Sequence, residues 1–220
     1  VAFAPWTEKF APLGINVVDP SVVRLANSSK YATLSEAIEA AKTDPGSVTV
    51  GADGPLSDDH AAMYALEKAT GAKFTFVPFA GSSPANQSFM SGEVDIAIGN
   101  AFDHTQTADS TKEAMILQPE RYDMIPDVPT SDELAGLGGW DLGSSRGFAA
   151  PAGLPEDLLA LYQAGFDQIF ADEAFIAEAR GKNITTAKPR VGDAFGEMMQ
   201  QQEQTAVELL PLFKEGGFIN

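Results

Sequence analysis

Two turns of this chain bring glycine and serine residues to points where a predicted strand meets a predicted helix. One turn is residues 53–57 (DGPLS), and the other is residues 80–83 (AGSS). The first backbone N–H groups of a helix have no partner within the helix, and the positive end of the helix dipole lies beside them. Each turn is therefore a candidate site for a carboxylate, with a plain connector as the alternative.

The segment around the second turn, residues 76–100 (FVPFAGSSPANQSFMSGEVDIAIGN), predicts a strand, a helix and a second strand. Ser83 is a favourable N-cap residue, Pro84 suits the first helical position, and Gly92 suits the helix end. Apolar residues alternate along 94–99, as expected of a strand in a sheet. The loops after both strands then lie at the carboxyl edge of the sheet, where open α/β sheets bind ligands.

The rest of the chain continues this alternation of strands and helices. Thr33 to Glu36 has the capping-box pattern of a helix start, and Ser57 is the expected N-cap of a helix that ends at Gly71. Short strands are expected at 48–50 and 115–117, a polar loop at 103–110, and C-terminal helices from Pro155, from Asp172 and over 195–213. The order predicts an α/β fold with a mostly parallel sheet and helices on both faces.

Residues near the first turn raise two other kinds of chemistry. A hydrolase would use Ser57 as nucleophile and His60 as base, but the chain has no G-x-S-x-G turn, and this spacing on one helix is unusual. A metal site would combine His60 with Asp53, Asp58 and Asp59, which is a poor ligand set without a second histidine. We expect no catalytic residues and no metal, and a small α/β hydrolase using Ser57 and His60 stays as the alternative.

Three residues outside the turns have two readings each. Arg146 either contacts a carboxylate, since its planar fork matches that group, or forms an ion pair at the surface. Phe102 and Trp140 either line a ligand cleft or belong to the core. The glycine turns match no nucleotide-binding pattern, so no cofactor is expected.

The charge of the chain excludes one class of partner. The sequence has 31 acidic and 14 basic residues and a formal net charge of −17. Binding to a phosphate backbone needs clustered Lys and Arg, so nucleic acid is not an expected partner. A small anionic ligand stays compatible, because exposed charges are screened over about 8 Å and directed hydrogen bonds outweigh the distant field.

Composition also bounds the structural class. The hydrophobic content of 44% is ordinary for a globular core. No apolar run approaches the roughly 18 residues needed to cross a bilayer, and Val1 opens without the features of a signal peptide. The chain has no cysteine, which excludes disulfides and thiol chemistry.

The residues around the second turn also carry a family resemblance. Residues 77–100 resemble the segment VPYKGGAPALTALLGGEVDxxxxN of the Bug/TctC solute-binding proteins, the extracytoplasmic receptors of tripartite tricarboxylate transporters. Residues 27–41 resemble DSPYKTLAELIAAAK, 54–60 resemble GxGSxxH, and 127–130 with 145–155 resemble DVPT … WRGxxAPAGTP. Leu56 stands where the family has a glycine, and Ser82 and Ser83 replace small residues.

The resemblance implies a domain organisation. Family members begin with a lobe that carries an FxPGGxxD loop, and this loop does not occur here, whereas Phe3 to Pro5 resembles the FTPI found before the first hinge crossing. We therefore expect 1–20 to end the first lobe, 21–145 to form the ligand-binding lobe, and 146–220 to form the hinge-return strand and C-terminal helices. If the first lobe is absent from the molecule, exposed apolar surface would favour a dimer.

The resemblance also implies a function. The chain would be a non-enzymatic periplasmic receptor of the type II binding-protein fold, exported with a signal peptide that lies outside it. It would capture a small carboxylate between two lobes and deliver it to the membrane subunits of a tripartite transporter. An orphan sensor domain of the same fold is an alternative. The expected ligand-binding residues are Asp53, Gly54, Ser57, Phe79, Gly81, Ser82, Ser83 and Asn100.

Overall fold

A computed structural model describes residues 6–182, 184 and 189–219, and it separates into two compact units. The larger unit comprises residues 20–143 and 208–220, and the smaller unit comprises residues 1–19 and 144–207. Phe3 to Pro5, the segment compared above with FTPI, lies outside the described residues. Each unit is described below by itself.

Strand β1 (Phe10–Ala26) is 17 residues long and contains the boundary between the units, between Asp19 and Pro20. The sequence did not predict this strand, because Pro12, Gly14 and Pro20 interrupt the pattern that a long strand normally shows. Its last eight residues are all buried. β1 is thus an interior strand of the larger unit, with β4 on one side and β5 on the other.

The sheet of the larger unit has the strand order β3-β2-β4-β1-β5. Its other strands are β2 (Thr49–Asp53), β3 (Thr75–Phe79), β4 (Ile96–Asn100) and β5 (Thr111–Ile116). β2 pairs in parallel with β3 and β4, whereas β1 runs antiparallel to β4 and β5. Four strands therefore share one direction, as predicted, and the reversed β1 makes the sheet mixed.

Helices cover both faces of this sheet. The helices are α1 (Leu34–Thr43), α2 (Asp58–Thr70), α3 (Ser82–Ser91), α4 (Ala101–Thr107) and α5 (Ser131–Ala135). Alternate strand residues serve the two faces, because Ile96 and Ile98 join the core formed with α1 and α2, whereas Ala97 joins Phe89 of α3. The predicted N-cap residues Thr33 and Ser57 are confirmed, as are the left-handed glycines Gly71 and Gly92.

Two local predictions are wrong. Ser83 is not an N-cap and Pro84 is the third rather than the first helical residue, because α3 begins at Ser82 and its N-cap is Gly81, which has no side chain to accept a hydrogen bond. Residues 103–110 are not a loop but continue α4 into a 3₁₀ turn at Ala108–Ser110. The reason is Asp103, whose carboxylate accepts from the Asn100 N–H at 3.0 Å and so closes the first turn of α4.

The smaller unit combines the first half of β1 with two strands and most of three helices. These elements are β6 (Gly143–Pro151), β7 (Arg190–Val191), α6 (Glu156–Ala171), α7 (Glu173–Gly181) and α8 (Asp193–Glu215). Both β6 and β7 pair with β1. The predicted helices from Pro155, from Asp172 and over 195–213 are confirmed. Among the described residues, no helix has the length and apolarity to cross a membrane.

Candidate functional site

The carboxyl ends of β2, β3 and β4 meet at one edge of the larger sheet. Asp53 at the end of β2 is in register with Phe79 at the end of β3. Asn100, the last residue of β4, reaches the first turn of α2, where its Nδ2 donates to Asp58 Oδ2 at 3.4 Å. The structure thus gathers the predicted ligand residues of the first turn, Phe79 and Asn100 at a common edge, and Gly81 to Ser83 follow Phe79 after one residue.

The first turn uses most of its own backbone donors. The N–H of Gly54 donates to the Asp53 carboxylate at 2.7 Å, and the N–H of Leu56 donates to Nδ1 of His60 at 3.2 Å. The N–H of Asp53 donates to Oδ2 of Asp59 at 3.4 Å, and the N–H of Ser57 donates to the Gly54 carbonyl at 3.3 Å. An incoming carboxylate would have to displace these bonds.

The hydroxyl of Ser57 is already used in hydrogen bonds at the start of α2. Its Oγ accepts from the His60 N–H at 3.2 Å and donates to the Asp53 carbonyl at 3.3 Å. Asp58 and Asp59 in the same helical turn add two carboxyl groups at the positive end of α2. The α2 start therefore already contains an acidic side chain, Asp58, of the kind that such a position favours.

Leu56 is strained in the first turn. Its φ of 68° is in the left-handed region, which favours glycine and costs other residues about 1–2 kcal/mol. The side chain is also 53% exposed. The family resemblance places a glycine here, so the departure seen in the sequence coincides with a strained backbone.

The second turn has the opposite character. Gly81 has a φ of 114°, and no side chain caps α3. The first turn of α3 contains no acidic residue. In the part of the chain that the structure describes, no acceptor is found for the N–H groups of Ser82 and Ser83 or for their hydroxyls. Among the described residues, the donors and the positive dipole end of this helix start therefore have no anionic partner.

His60 is a packing residue rather than a catalytic base. Its imidazole is fully buried and stacks on Phe76 with ring centroids 3.9 Å apart, and the rings of Tyr64, Phe213 and Phe218 surround it. Burial lowers the pKa of His60 to about 4, so the ring is neutral at physiological pH. Nδ1 accepts from Leu56, and Ser57 bonds to the backbone of His60, so the hydrolase arrangement is not formed.

Asp59 is the most perturbed acid at this edge. Its side chain is 3% exposed, and burial, together with the charge of Asp58, raises its pKa well above the usual value. Oδ2 accepts from the Asp53 N–H, and Oδ1 has no partner among the described residues. Within the described residues, no cluster of three or more metal-binding side chains could hold an ion.

The structure places Trp140, Phe102 and Arg146 in three different environments. Trp140 packs against the main core of the larger unit, so its core reading is confirmed. Phe102 is 41% exposed in the first turn of α4, next to Asn100. Arg146 lies exposed on β6 in the smaller unit.

Sequence reasoning missed a buried polar group behind this edge. Arg24 of β1 is fully buried and hydrogen-bonds to Asn86 of α3 and Thr107 of α4. Asn86 in turn bonds to Asp103. The signal was present as a lone charge within the apolar run SVVRLA of residues 21–26. A charge inside a fully buried strand requires partners on the neighbouring elements.

Comparison with known proteins places the chain in a family. The model of the tripartite tricarboxylate transporter family receptor, TctC, matches residues 5–192. A protein encoded in the tcbD-tcbE intergenic region of Pseudomonas sp. strain P51 is 26% identical over 204 residues, which is 90% of this chain. The aligned part is 61% of that protein, so this chain spans less than two thirds of its length.

Solved structures agree in fold. A TctC solute-binding protein from Polaromonas, solved without ligand, has a TM-score of 0.79 and 26% identity, with coverage of 93% of this chain and 70% of that chain. MatC from Rhodopseudomonas palustris, solved with bound malate, has a TM-score of 0.71 and 23% identity, with coverage of 91% and 69%. The second likeness shows a shared fold and no more.

Proposed function

This chain belongs to the tripartite tricarboxylate transporter receptor family, and on that premise we propose that it binds a small carboxylate at the start of α3. The family is one of solute receptors rather than enzymes. The ligand is held and released unchanged, and its negative charge is met by backbone and hydroxyl donors. Ser57 and His60 each accept a hydrogen bond from the backbone at the start of α2, which agrees with a structural rather than a catalytic role.

The observation that carries this proposal is the unused donor set at the second turn. Ser82 and Ser83 each offer an N–H and a hydroxyl at the positive end of a ten-residue helix. A hydrogen bond to a charged group contributes about 1.5–3 kcal/mol, so two or three of them outweigh the distant acidic surface. Gly81 supports this set by adopting a backbone angle that leaves the turn open.

The other expected ligand residues take supporting roles in this proposal. Phe79 forms an apolar wall, and Asn100 at the end of β4 adds a side-chain amide that also donates to Asp58. Asp53, Gly54 and Ser57 shape the first turn, and their amides bond within the turn. Gly54 therefore no longer serves as a carboxylate donor, and the ligand anion binds at α3 alone.

We also propose the cellular role that the family suggests. The receptor acts in the periplasm and delivers its ligand to the membrane subunits of a tripartite transporter, with hinge crossings at 1–20 and from 146. MatC, a relative in fold, was solved with malate, a small dicarboxylate. Loss of carboxylate uptake by cells that lack this chain, restored by the chain and not by a variant that cannot bind, would separate transport from sensing.

A screen of ligands tests the binding proposal. Ligand released from protein purified under native conditions is identified by mass spectrometry, and malate, adipate, amino acids, aromatic acids and neutral sugars are compared by thermal shift. A ligand at 100 times its dissociation constant adds about 2.7 kcal/mol to stability, so a carboxylate ligand raises the melting temperature by several degrees. Stabilisation by sugars and by no acid would overturn the proposal.

The smaller unit favours a second proposal about assembly. Its described surface exposes large apolar side chains, including Leu161 at 65% and Phe148 at 50%. Leu158, Tyr162 and Ile169 of α6 are exposed as well. We propose that this chain, when purified alone, associates into a dimer through these side chains, because large apolar residues exposed together on one helix mark an interaction site. Light scattering that gives the monomer mass at high concentration would contradict this.

A further inference from the structure

Arg24 is a buried cation that lies beneath two helix starts. Its side chain is 1% exposed near the end of β1, where its cross-strand neighbours are Ala97 of β4 and Ala114 of β5. These two small residues leave room for the guanidinium on the sheet face that α3 and α4 cover. Phe89 of α3 lies over the guanidinium, 5.2 Å from ring centre to Cζ.

The guanidinium joins α3 to α4. Nη1 of Arg24 donates to Oδ1 of Asn86 at 3.0 Å and to Oγ1 of Thr107 at 2.7 Å. Nδ2 of Asn86 then donates to Oδ1 of Asp103 at 2.8 Å. One strand residue therefore fixes side chains on α3 and α4, two of the helices that begin at the carboxyl edge.

The network ends at the backbone of the proposed site. Oδ2 of Asp103 accepts from the Asn100 N–H at 3.0 Å, so the carboxylate held by Asn86 sets the start of α4. On the other helix, Asn86 lies four residues after Ser82, which is about one helical turn below the free donors. A shift of Arg24 would therefore be transmitted to both helix starts.

Gly99 shows how closely these groups fit. A Cβ on this residue would lie 2.7 Å from Nη2 of Arg24 and 2.8 Å from Oδ2 of Asp103. Both distances are shorter than a carbon atom tolerates. The glycine before Asn100 is therefore needed for the guanidinium and the carboxylate to approach the strand end.

Arg24 also keeps a positive charge inside an acidic protein. Burial lowers the pKa of Arg24 to about 10, while the nearby charges of Asp103 and Asp59 act in the opposite direction, so the group stays protonated at neutral pH. A buried charge is screened by salt far less than an exposed one. The start of α3 thus has a fixed positive charge about one turn beneath it.

We infer that Arg24 is the positioning residue of the carboxylate site: it holds the α3 and α4 starts in place through Asn86 and Asp103, and it bonds to Thr107 at the end of α4. The inference rests on the proposed function for its ligand, but the positioning is a property of the unliganded chain. Arg24 fulfils this role from within the sheet, without contacting the ligand.

Hydrogen exchange measured by mass spectrometry on the unliganded chain tests the positioning. Arg24→Met removes the charge and both hydrogen bonds, and Asn86→Leu removes the connection to Asp103 while leaving Arg24 intact. We expect amide exchange in peptides covering 80–91 and 99–108 to become at least tenfold faster in both variants, with exchange in α1 unchanged. If Arg24→Met does not fold, Asn86→Leu and Arg24→Lys carry the test.

Glu67→Gln provides a matched control. Glu67 is a buried acid of the same unit that accepts from the Phe74 N–H at 2.8 Å and from Lys73 at 3.1 Å, away from α3 and α4. This control is expected to lower the melting temperature without selective exchange at 80–91 and 99–108. Uniform acceleration in the Arg24 and Asn86 variants, or no acceleration, would overturn the inference.

A binding measurement on the same variants separates this inference from the proposed function. With the acid that raises the melting temperature most in the screen, Asn86→Leu is expected to bind at least tenfold more weakly, and Glu67→Gln is expected to bind as the native chain does. If native protein binds no acid while the selective exchange is observed, the proposed function fails and the positioning role stands. If exchange and affinity are both unchanged in Asn86→Leu, the inference fails and carboxylate binding stands.

Discussion

The starts of α2 and α3 lie at the same sheet edge and are built from similar residues, yet their donors are in opposite states. At α2, Ser57 caps the helix, and the amides of Gly54 and Leu56 are already bonded to side chains. At α3, the N-cap residue Gly81 has no side chain to accept a hydrogen bond. The donors of Ser82 and Ser83 have no acceptor among the described residues. A glycine- and serine-containing turn therefore does not by itself mark an anion site, because nearby carboxylates decide whether the donors are available.

Acid distribution explains the contrast. Asp58 and Asp59 occupy the first turn of α2, and Asp53 precedes it, so that helix start supplies its own hydrogen-bond acceptors. The first turn of α3 contains no acid and one proline, which lacks an N–H. The α2 start is consequently a stabilised structural turn, whereas the α3 start is the place where we propose that an external carboxylate binds.

The largest expected effect concerns the buried acid of the α2 start. Above about pH 3.9 an unfolded Asp59 is ionised, whereas the raised pKa keeps the folded Asp59 protonated up to a higher pH. The free energy of unfolding then falls by up to about 1.4 kcal/mol per pH unit as the pH rises toward the folded pKa. Asp59→Asn removes this decline, so chemical denaturation over a pH series should show the variant gaining stability relative to the native chain as pH rises.

His60 contributes the opposite slope, which makes the difference between variant and native chain the quantity to measure. Its pKa is lowered to about 4, so the unfolded state binds more protons between about pH 4 and 6.5, and stability rises with pH in that window. This slope is present in both proteins and cancels. A constant difference between Asp59→Asn and the native chain at every pH would contradict a raised pKa.

A new carboxylate at the α3 start should have the next largest effect. Ser83→Asp places an acid at the positive helix end, which stabilises the fold by about 0.5 kcal/mol and repels the ligand carboxylate. Calorimetry should show at least tenfold weaker binding, equivalent to about 1.4 kcal/mol. Ser57→Asp is the matched change at α2, where an aspartate keeps the cap, and its affinity should stay within about twofold of the native value.

Replacing Gly81 or Gly54 by alanine tests how strongly each turn depends on the backbone conformation of its glycine. Gly81→Ala forces a Cβ onto a φ of 114° and should cost about 1–2 kcal/mol of stability, with weaker binding because the turn shifts. Gly54→Ala adds a Cβ that lies 3.6 Å from the Phe79 carbonyl oxygen, an ordinary contact, and Gly54 has no positive φ. Equal losses of melting temperature for the two variants would show that the open turn at Gly81 is not special.

The smallest expected effects are the changes in stability and affinity when Ser57 or Ser83 is replaced by alanine. Ser57→Ala removes an N-cap and should cost about 1 kcal/mol, whereas Ser83→Ala removes no cap bond and should change stability by a few tenths at most. Affinity should follow the reverse order, since only Ser83 offers free donors to the ligand. Denaturation and calorimetry on the two variants check both orders, and a loss of stability at Ser83 equal to that at Ser57 would restore Ser83 as a cap.

Much of the fold could be predicted from local sequence. The caps at Thr33, Ser57 and Asp172 follow from residue type and spacing, and Gly71 and Gly92 mark helix ends by their conformational freedom. These features depend on residues within one turn of each other. Local chemistry is therefore sufficient to place them.

The remaining features depend on contacts between distant residues. β1 is a strand despite Pro12 and Pro20 because it pairs with strands from both units, and sequence spacing does not contain that information. The partners of Arg24 lie 62 and 83 residues away. Likewise, the hydrogen bond from the Leu56 N–H to His60 forms only in the folded turn. The sequence therefore could not show that the backbone donors of the first turn are already bonded.

The most direct test of the central claim is an amide NMR titration with the acid that raises the melting temperature most in the ligand screen. The α3 start is predicted to hold the carboxylate, so the N–H signals of Ser82 and Ser83 should shift downfield as the acid is added, while those of Gly54 and Leu56 stay in place. Shifts at Gly54 and Leu56 with Ser82 and Ser83 unchanged would place the anion at α2 and contradict the account.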